Sequence, residues 1–487
     1  MPEFLSLSSL LFAVIGALSG LVVGAIPGIG PASLIALTVP LTLSMSSVDA
    51  IVMLVGMYVG GVSGGMVSAA LLRMPGTPSS IMTTLDAFPM AQAGQPERAL
   101  AICIGASLIG GLVAGAVLLT LAKPLSIWGT YFGPWEYFTL ISMGLVLMAS
   151  VVAGNVLGGL MSGVLGLLVA VPGVSAADGA LRLTFGIGPL VGGFATLPVL
   201  LGLFVVGTAL TALLKKEKAT EQIGLRGNPV GSLLPLFRSN TVNLLRSSLI
   251  GTWIGILPGV GASIASMVSY TAAKSSSPEG DKFGTGHPGG IIASEAANNA
   301  NVGGALIPLI ALGIPGSAVD AILLGALVLH NIQPGPLLFT NAPDLAWGVI
   351  VSYLFTTVLC TAVLLGGLRT FAAIIRVPKA LLYPFMIVFA VLGCYSLRNE
   401  PFDVAVLFAF GLLGVLFDRL KLPLAPFVIG FVLGGLAETQ LRSALMWSDG
   451  SWLGILERPV AVLFLLIAIA TLVVPPLLRS ARRRATA

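Results

Sequence analysis

Two segments of the chain interrupt apolar stretches in the same way. Gly24-Ala25-Ile26-Pro27-Gly28-Ile29-Gly30-Pro31-Ala32-Ser33 is echoed, 231 residues on, by Gly255-Ile256-Leu257-Pro258-Gly259-Val260-Gly261-Ala262-Ser263. Proline removes a backbone donor and clashes with the preceding turn, and glycine costs roughly 1 kcal/mol against alanine in a helix. Each segment therefore stops a helix that its flanks would continue. A second pair follows, Met74-Pro75-Gly76-Thr77-Pro78-Ser79-Ser80 and Ile314-Pro315-Gly316-Ser317-Ala318, now at a spacing of 240. The extra residues fall in 274–290, a polar Gly/Ser/Pro stretch that reads as a surface insertion. A third pair is Leu197-Pro198-Val199-Leu200-Leu201-Gly202 and Ala425-Pro426-Phe427-Val428-Ile429-Gly430. The chain thus divides into two copies, 1–214 and 239–452, with a join at 215–238, an extra span at 453–476 and a tail at 477–487.

Composition places both copies in a membrane. Hydrophobic residues make up 56% of the 487 and charged residues only 9%, whereas soluble domains carry about 25% charged residues. The clearest spans are 5–25, 48–72, 98–122, 135–153, 188–214, 344–368, 380–397 and 453–476. Such a chain has no room for a soluble catalytic domain. Its formal charge of +5 reflects basic loops rather than nucleic-acid binding. Cys103, Cys360 and Cys394 lie in apolar segments without metal-ligand spacing and read as filler. Residues 5–25 lack a basic flank, so a cleavable leader is not expected.

The loops orient the copies. Lys215, Lys216, Lys218, Arg226 and Arg238 in the join, and Arg479, Arg482, Arg483 and Arg484 in the tail, are expected in the cytoplasm. So are 369–379, with Arg369, Arg376 and Lys379, and 418–421. Their counterparts, 123–135 and 173–187, are poorer in basic residues, and the first holds Trp128, Tyr131 and Trp135. They alternate correctly only if they face outside, together with Trp447 and Trp452, which makes the copies inverted. The expected fold is an all-α polytopic membrane protein of two inverted repeats with broken or re-entrant helices, roughly 10–12 membrane segments in all.

Paired Pro-Gly interruptions point to a transporter's binding site. Helix starts expose unpaired N–H groups and a partial positive charge, which suit carboxylates. Gly28, Gly30, Ser33, Gly76, Thr77, Ser79, Ser80, Gly259, Gly261, Ser263, Gly316 and Ser317 are the substrate candidates. Glycine there would let backbone N–H groups approach a ligand near the bilayer midplane. Asp86, Asn298, Asn299, Asn301 and Asp320 are the cation candidates, since hard cations take oxygen ligands. Glu295, Asn298 and Asn299 share a helical face, which suits pore lining, cation coordination or interhelical hydrogen bonding. Arg73, just before a break, could pair with an anion or snorkel. His287 and His330 have no zinc partner set.

These motifs resemble the large membrane subunit of the tripartite tricarboxylate transporter family. The resemblance rests on Pro27-Gly28-Ile29-Gly30-Pro31 and on Pro75-Gly76-Thr77-Pro78, with Asp86 and Pro89-Met90-Ala91 behind it. In the second copy it rests on Pro258-Gly259-Val260-Gly261, Glu295-Ala296-Ala297-Asn298-Asn299, Leu312-Gly313-Ile314-Pro315-Gly316 and Pro334-Gly335-Pro336. It implies a permease in the bacterial inner membrane, working with a small four-helix membrane subunit and a periplasmic solute-binding protein. The assembly would take up organic carboxylates by symport with sodium or protons, without ATP and without a resident cofactor. No P-loop GxxxxGK[ST] is present in the sequence. The chain reads Ser63-Gly64-Gly65-Met66 where the family has an aromatic-Gly-Gly-Ser step. From the residues alone, a channel or an exporter of another small solute is the alternative. An intramembrane enzyme fits less well, because no nucleophile–base or metal set is visible.

Overall fold

The computed structural model describes residues 3–151, 156–175, 179–214, 233–374 and 379–485. In the first half, α1 (Leu7–Ala25) stops at the first break and α2 (Pro31–Thr42) restarts after it. α3 (Ser47–Leu72) runs to the second break, after which two short 3-10 turns, Pro78–Ile81 and Thr83–Leu85, lead into α4 (Ala87–Gln92) and α5 (Pro96–Gly129). α6 (Pro134–Val151), α7 (Val156–Val169), α8 (Thr196–Leu201) and α9 (Gly207–Leu214) follow, the last two fused by a π-helical turn at Gly202–Val206. After α10 (Leu233–Ser239), α11 (Thr241–Ile256) stops at a break and α12 (Ala262–Ser276) restarts. α13 (Pro288–Leu312) runs to the next break, and α14 (Ala318–Leu329) and α15 (Leu338–Asn341) lead to α16 (Pro343–Ile374). α17 (Lys379–Arg398), α18 (Pro401–Leu420), α19 (Leu424–Trp447) and α20 (Pro459–Ala485) close the chain. Among the described residues, the only strands are β1 (Gly173–Val174) and β2 (Leu181–Arg182), an antiparallel hairpin with Gly173 opposite Arg182.

The protein is an all-α polytopic membrane protein. Seven described helices are long and apolar enough to cross a bilayer, among them α1, α3, α5 and the continuous Thr196–Leu214 segment. α5, at 34 residues, extends about 50 Å, well beyond the roughly 30 Å of hydrocarbon.

Lipid tails are as apolar as leucine, so helices in a bilayer associate through close packing of small residues. α1 and α3 do so with interleaved glycines at four-residue spacing. A Cβ on Gly20 would lie 2.5 Å from the Met57 carbonyl oxygen, and one on Gly60 would lie 2.3 Å from that of Ala17. α11 meets α13 in the same manner. A Cβ on Gly251 would fall 2.4 Å from the Ala297 oxygen, and one on Gly304 2.3 Å from that of Thr252. α3 and α13 consequently lie at the centre, buried along nearly their whole lengths.

Several boundaries differ from the sequence reading. α5 continues through Gly129, so Lys123 and Trp128 sit on a helix and not in a loop. Trp135 is buried at the start of α6, with Nε1 donating to Ser448 Oγ at 2.9 Å. The 188–214 span begins at Thr196, because Gly193 takes a φ of +72° ahead of it. The 173–187 stretch forms the hairpin, and Arg182 pairs with Glu438 on α19 at 2.5 Å. The last span starts at Pro459, after a 3-10 turn at Trp452–Glu457. In the join, Lys215, Lys216, Lys218 and Arg226 lie outside the described residues, as does Arg376. Arg238 ends α10.

Candidate functional site

The interrupted helices converge on one stretch of α3. Pro31, at the start of α2, packs on Gly61, where a Cβ would come within 2.6 Å of the proline ring. Gly65 faces Thr77 of the second break, its Cβ position 2.9 Å from the threonine hydroxyl. Tyr58 Oη lies 3.2 Å from Ser317 Oγ, the N-cap of α14. Ser63 donates to Asn299 Oδ1 of α13 at 2.8 Å. Residues 58 to 65 span about 10 Å of helix. Within that length α3 therefore touches the second break of each half and the restart helix of the first. The first break of the second half joins through a backbone bond, Gly259 N–H to the Gly316 oxygen at 2.9 Å.

The candidate glycines divide into packed and open positions. A Cβ on Gly76 would lie 2.3 Å from the Gly24 oxygen, and one on Gly316 would lie 2.9 Å from that of Gly255. At these two, glycine serves backbone-on-backbone contact. Gly28 and Gly259 take φ of +88° and +80°, which turn the chain between half-helices. Gly259 also abuts Met148 of α6. Gly30 and Gly261, the N-caps of α2 and α12, open onto space, since a Cβ on either would meet nothing within 4 Å.

The hydroxyls divide similarly. Ser33 donates to the Phe204 oxygen at 2.6 Å, into the π-helical turn. Thr77, Ser79 and Ser80 form a closed cluster. Thr77 Oγ1 is 2.9 Å from Ser79 Oγ, and Ser80 Oγ caps the Thr77 amide at 3.3 Å. Ser263 is half-buried in the first turn of α12. Ser317 caps α14 by accepting from the Asp320 amide.

The acidic and amide candidates separate most clearly. Asp320 is 0% exposed and its carboxylate makes no full hydrogen bond, with the hydroxyl and amide of its N-cap Ser317 the groups nearest to it. Asn298 is also fully buried with both amide atoms unpartnered, and Asn301 leaves its oxygen free. Buried polar groups are ordinarily satisfied, so these three mark polar space at the centre of the fold. Asp86 is different. Its Oδ1 accepts from the amides of Gly284, Gly286 and His287 at 2.7–2.9 Å, and its Oδ2 accepts from Tyr270 Oη at 2.8 Å. It ties the first half to the loop between α12 and α13, with its acceptors in use. Asn299 is likewise engaged, its amide nitrogen donating to Ser107 Oγ at 2.7 Å. Arg73 ends α3 at a φ of +56° and lies 5.8 Å over the Phe88 ring, exposed. His287 caps α13 by accepting from the Gly289 amide and reaches Glu279 through Nε2. In that exposed loop, Lys282 and then His287 hold the Glu279 carboxyl below its usual range.

Tyr58 and Ser107 escaped the sequence reading. α3 ends at Leu72 and α13 at Leu312, the same spacing as the second pair of breaks. That register sets Tyr58 opposite Asn298 and was the available signal.

A polytopic helical membrane protein with four helix interruptions gathered at its centre belongs to the class of membrane transporters. Residues 10–429 match the model of the tripartite tricarboxylate transporter TctA family. The chain belongs to that family. It is 35% identical over 477 residues to an uncharacterized 52.8 kDa protein in the TAR-I ttuC' 3' region of Agrobacterium vitis, covering 97% of this chain and 95% of that one. It is 36% identical over 234 residues to an uncharacterized protein in the TAR-II ttuC' 3' region of the same organism, covering 48% of this chain and 97% of that one. Among solved structures, the transmembrane domain of a cyanobacterium bicarbonate transporter, BicA, covers 88% of this chain and 97% of its own at 13% identity. The TM-score is 0.19, too loose an overlap to bear on the fold.

Proposed function

We propose that this chain is the permease subunit of a binding-protein-dependent secondary transporter in the bacterial inner membrane, taking up organic carboxylates with a sodium or proton gradient. The reading is carried by the convergence of interrupted helices on residues 58–65 of α3, with open N-cap glycines at Gly30 and Gly261. Helix starts can bind a carboxylate without a buried lysine. In this reading the substrate rests against the starts of α2 and α12, near the bilayer midplane. The Asn298 amide nitrogen, free of a full hydrogen bond, supplies a further donor. Asp320, buried with no cationic side chain paired to it among the described residues, is the cation position, because a desolvated carboxylate needs a positive partner. The matching order of elements in 1–214 and 239–452 suits two inverted copies that bring their breaks together. The join and the C-terminal arginines then share the cytoplasmic side.

Family membership supports two partners, a periplasmic solute-binding protein and a small four-helix membrane subunit. The test is uptake of labelled citrate and of a labelled dicarboxylate into vesicles holding this chain with both partners. Uptake that requires the binding protein and stops when the ion gradients collapse is expected. Uptake unchanged by that collapse while ATP remains, or full-rate high-affinity uptake by this chain alone, would overturn the proposal.

A further inference from the structure

Glu295 lies on α13, the buried helix that also carries Asn298 and Asn301, and it is 0% exposed. Its carboxylate meets donors from three elements. Thr83 Oγ1, from the 3-10 turn after the second break, donates to Oε1. Ser107, on α5, donates to Oε2 at 3.1 Å. Asn299 donates to Ser107 at 2.7 Å and reaches Oε2 at 3.4 Å, while its own oxygen accepts from Ser63 of α3. The donors thus run in one direction, from α3 through Asn299 and Ser107, and end on the carboxylate. Among the described residues, no lysine, arginine or histidine hydrogen-bonds to it. The nearby titratable groups are Cys103 of α5, within electrostatic range, Tyr353 of α16, which donates to the Asn299 carbonyl, and Asp86 with Tyr270 of α12, bonded to each other. None of them carries a positive charge. An ionised carboxylate at such a place is expensive unless paired.

We infer that Glu295 is a proton-binding site of this protein, separate from the carboxylate of Asp320. The contacts favour a proton over a metal ion. The oxygens around Glu295 already touch one another at hydrogen-bond distance, so no gap is left for a cation. Asp320, by contrast, faces Ser317 and Tyr58 without a full hydrogen bond. The network is also satisfiable in both protonation states. When a proton arrives from water, one O–H bond forms on Oε1 and donates to Thr83 Oγ1. The Thr83 hydroxyl then turns from Glu295 to Ser294 Oγ, 3.4 Å away. Ser294 already donates to the Gly290 and Ile291 carbonyls at 2.9 and 3.1 Å, so the chain ends on backbone acceptors. The O–H bond that breaks is that of the hydronium delivering the proton, and the carboxyl passes from a charge of −1 to neutral. Because Thr83 follows the second break of the first half and Glu295 belongs to the second half, the proton alters a contact between the halves.

The inference rests on the transport reading for its purpose, but its test needs neither substrate nor partner. Proton uptake is counted on the purified full-length chain with a pH-indicator dye across the neutral range, alongside the infrared carbonyl band of protonated carboxyl groups. Relative to Glu295→Gln, the wild-type protein is expected to take up one more proton and to show one additional band. That difference persists when both proteins also carry Asp320→Asn. Thr83→Val, which removes a donor to the ionised form, raises the midpoint by about one pH unit. Thr83→Val also carries the test if the glutamine variant fails to fold. Equal proton uptake in wild type and Glu295→Gln, a difference that vanishes in the Asp320→Asn background, or a midpoint of that difference unmoved in Thr83→Val would each overturn the assignment. Any of these leaves the uptake assay, and with it the transport reading, standing.

Discussion

Gly30→Ala separates a binding role from a packing role better than any change at the other breaks. Gly30 has φ −84° and ψ 170°, extended backbone that alanine adopts freely, and a Cβ there meets nothing within 4 Å. Folding is therefore expected to be unchanged, or helped by about 0.4–1 kcal/mol through the less flexible unfolded chain. The new methyl group would nevertheless stand beside the Ala32 amide, the free N–H of the first turn of α2, since Pro31 has none and the Ser33 and Leu34 amides donate to the Gly30 carbonyl. If a substrate carboxylate rests there, crowding out one charge-assisted hydrogen bond costs about 1.5–3 kcal/mol. That corresponds to a loss of roughly ten- to more than a hundredfold in uptake. Gly76→Ala is the companion variant. Its Cβ would sit 2.3 Å from the Gly24 oxygen and 2.7 Å from the Gly65 Cα, backbone atoms that cannot turn aside. It should lose folded protein outright. The assay pairs initial uptake rate in vesicles containing both partners with thermal unfolding of the purified chain. A Gly30→Ala protein that is folded and transports at the wild-type rate would refute the placement of substrate at the start of α2.

Three further outcomes are expected. Single cysteines placed at Trp447 and Arg483 should label from opposite faces of the membrane, the first from the periplasm; labelling from one face would end the inverted arrangement. Asp320→Asn should remove the dependence of uptake on the coupling cation at least tenfold while the protein stays assembled, and an unchanged cation dependence would move the cation site elsewhere. Glu279, held below its usual range by Lys282 and His287, contributes order to the 277–287 loop at neutral pH and loses it as acid protonates it. Protease cutting of that loop should rise on the acid side in the wild type, and Glu279→Gln should flatten this dependence; an identical acid profile in the variant would exclude it.

The breaks were legible because proline and glycine act locally. Gly28 and Gly259 do turn the chain, Pro31 opens α2, and Pro258 lies in the turn between α11 and α12. What spacing could not say was which glycines face a neighbour and which face space. Gly76 and Gly30 look alike in sequence, yet one is pressed against the Gly24 carbonyl and the other is open. That difference belongs to partners far away in the chain. The same limit applied to Asp86, which looked like a cation ligand beside a break. Its acceptors are filled by Gly284, Gly286 and His287, residues about 200 positions later in the stretch that read as a mere surface insertion. Span ends were misjudged where helices outrun the bilayer, as α5 does, because hydropathy reports lipid contact and not helix length.

The central position of α13 bears on how the protein is made. Its 25 residues include Glu295, Asn298, Asn299 and Asn301, and it is not among the helices apolar enough to cross a membrane unaided. A charged residue at the centre of an isolated helix costs about 3 kcal/mol on entering the bilayer, and the three asparagines add to that. The groups that satisfy Glu295 and Asn299 are Ser63, Thr83 and Ser107, all synthesised earlier. α13 thus draws the partners of its polar side chains from a first half made before it, so the order of translation favours its folding.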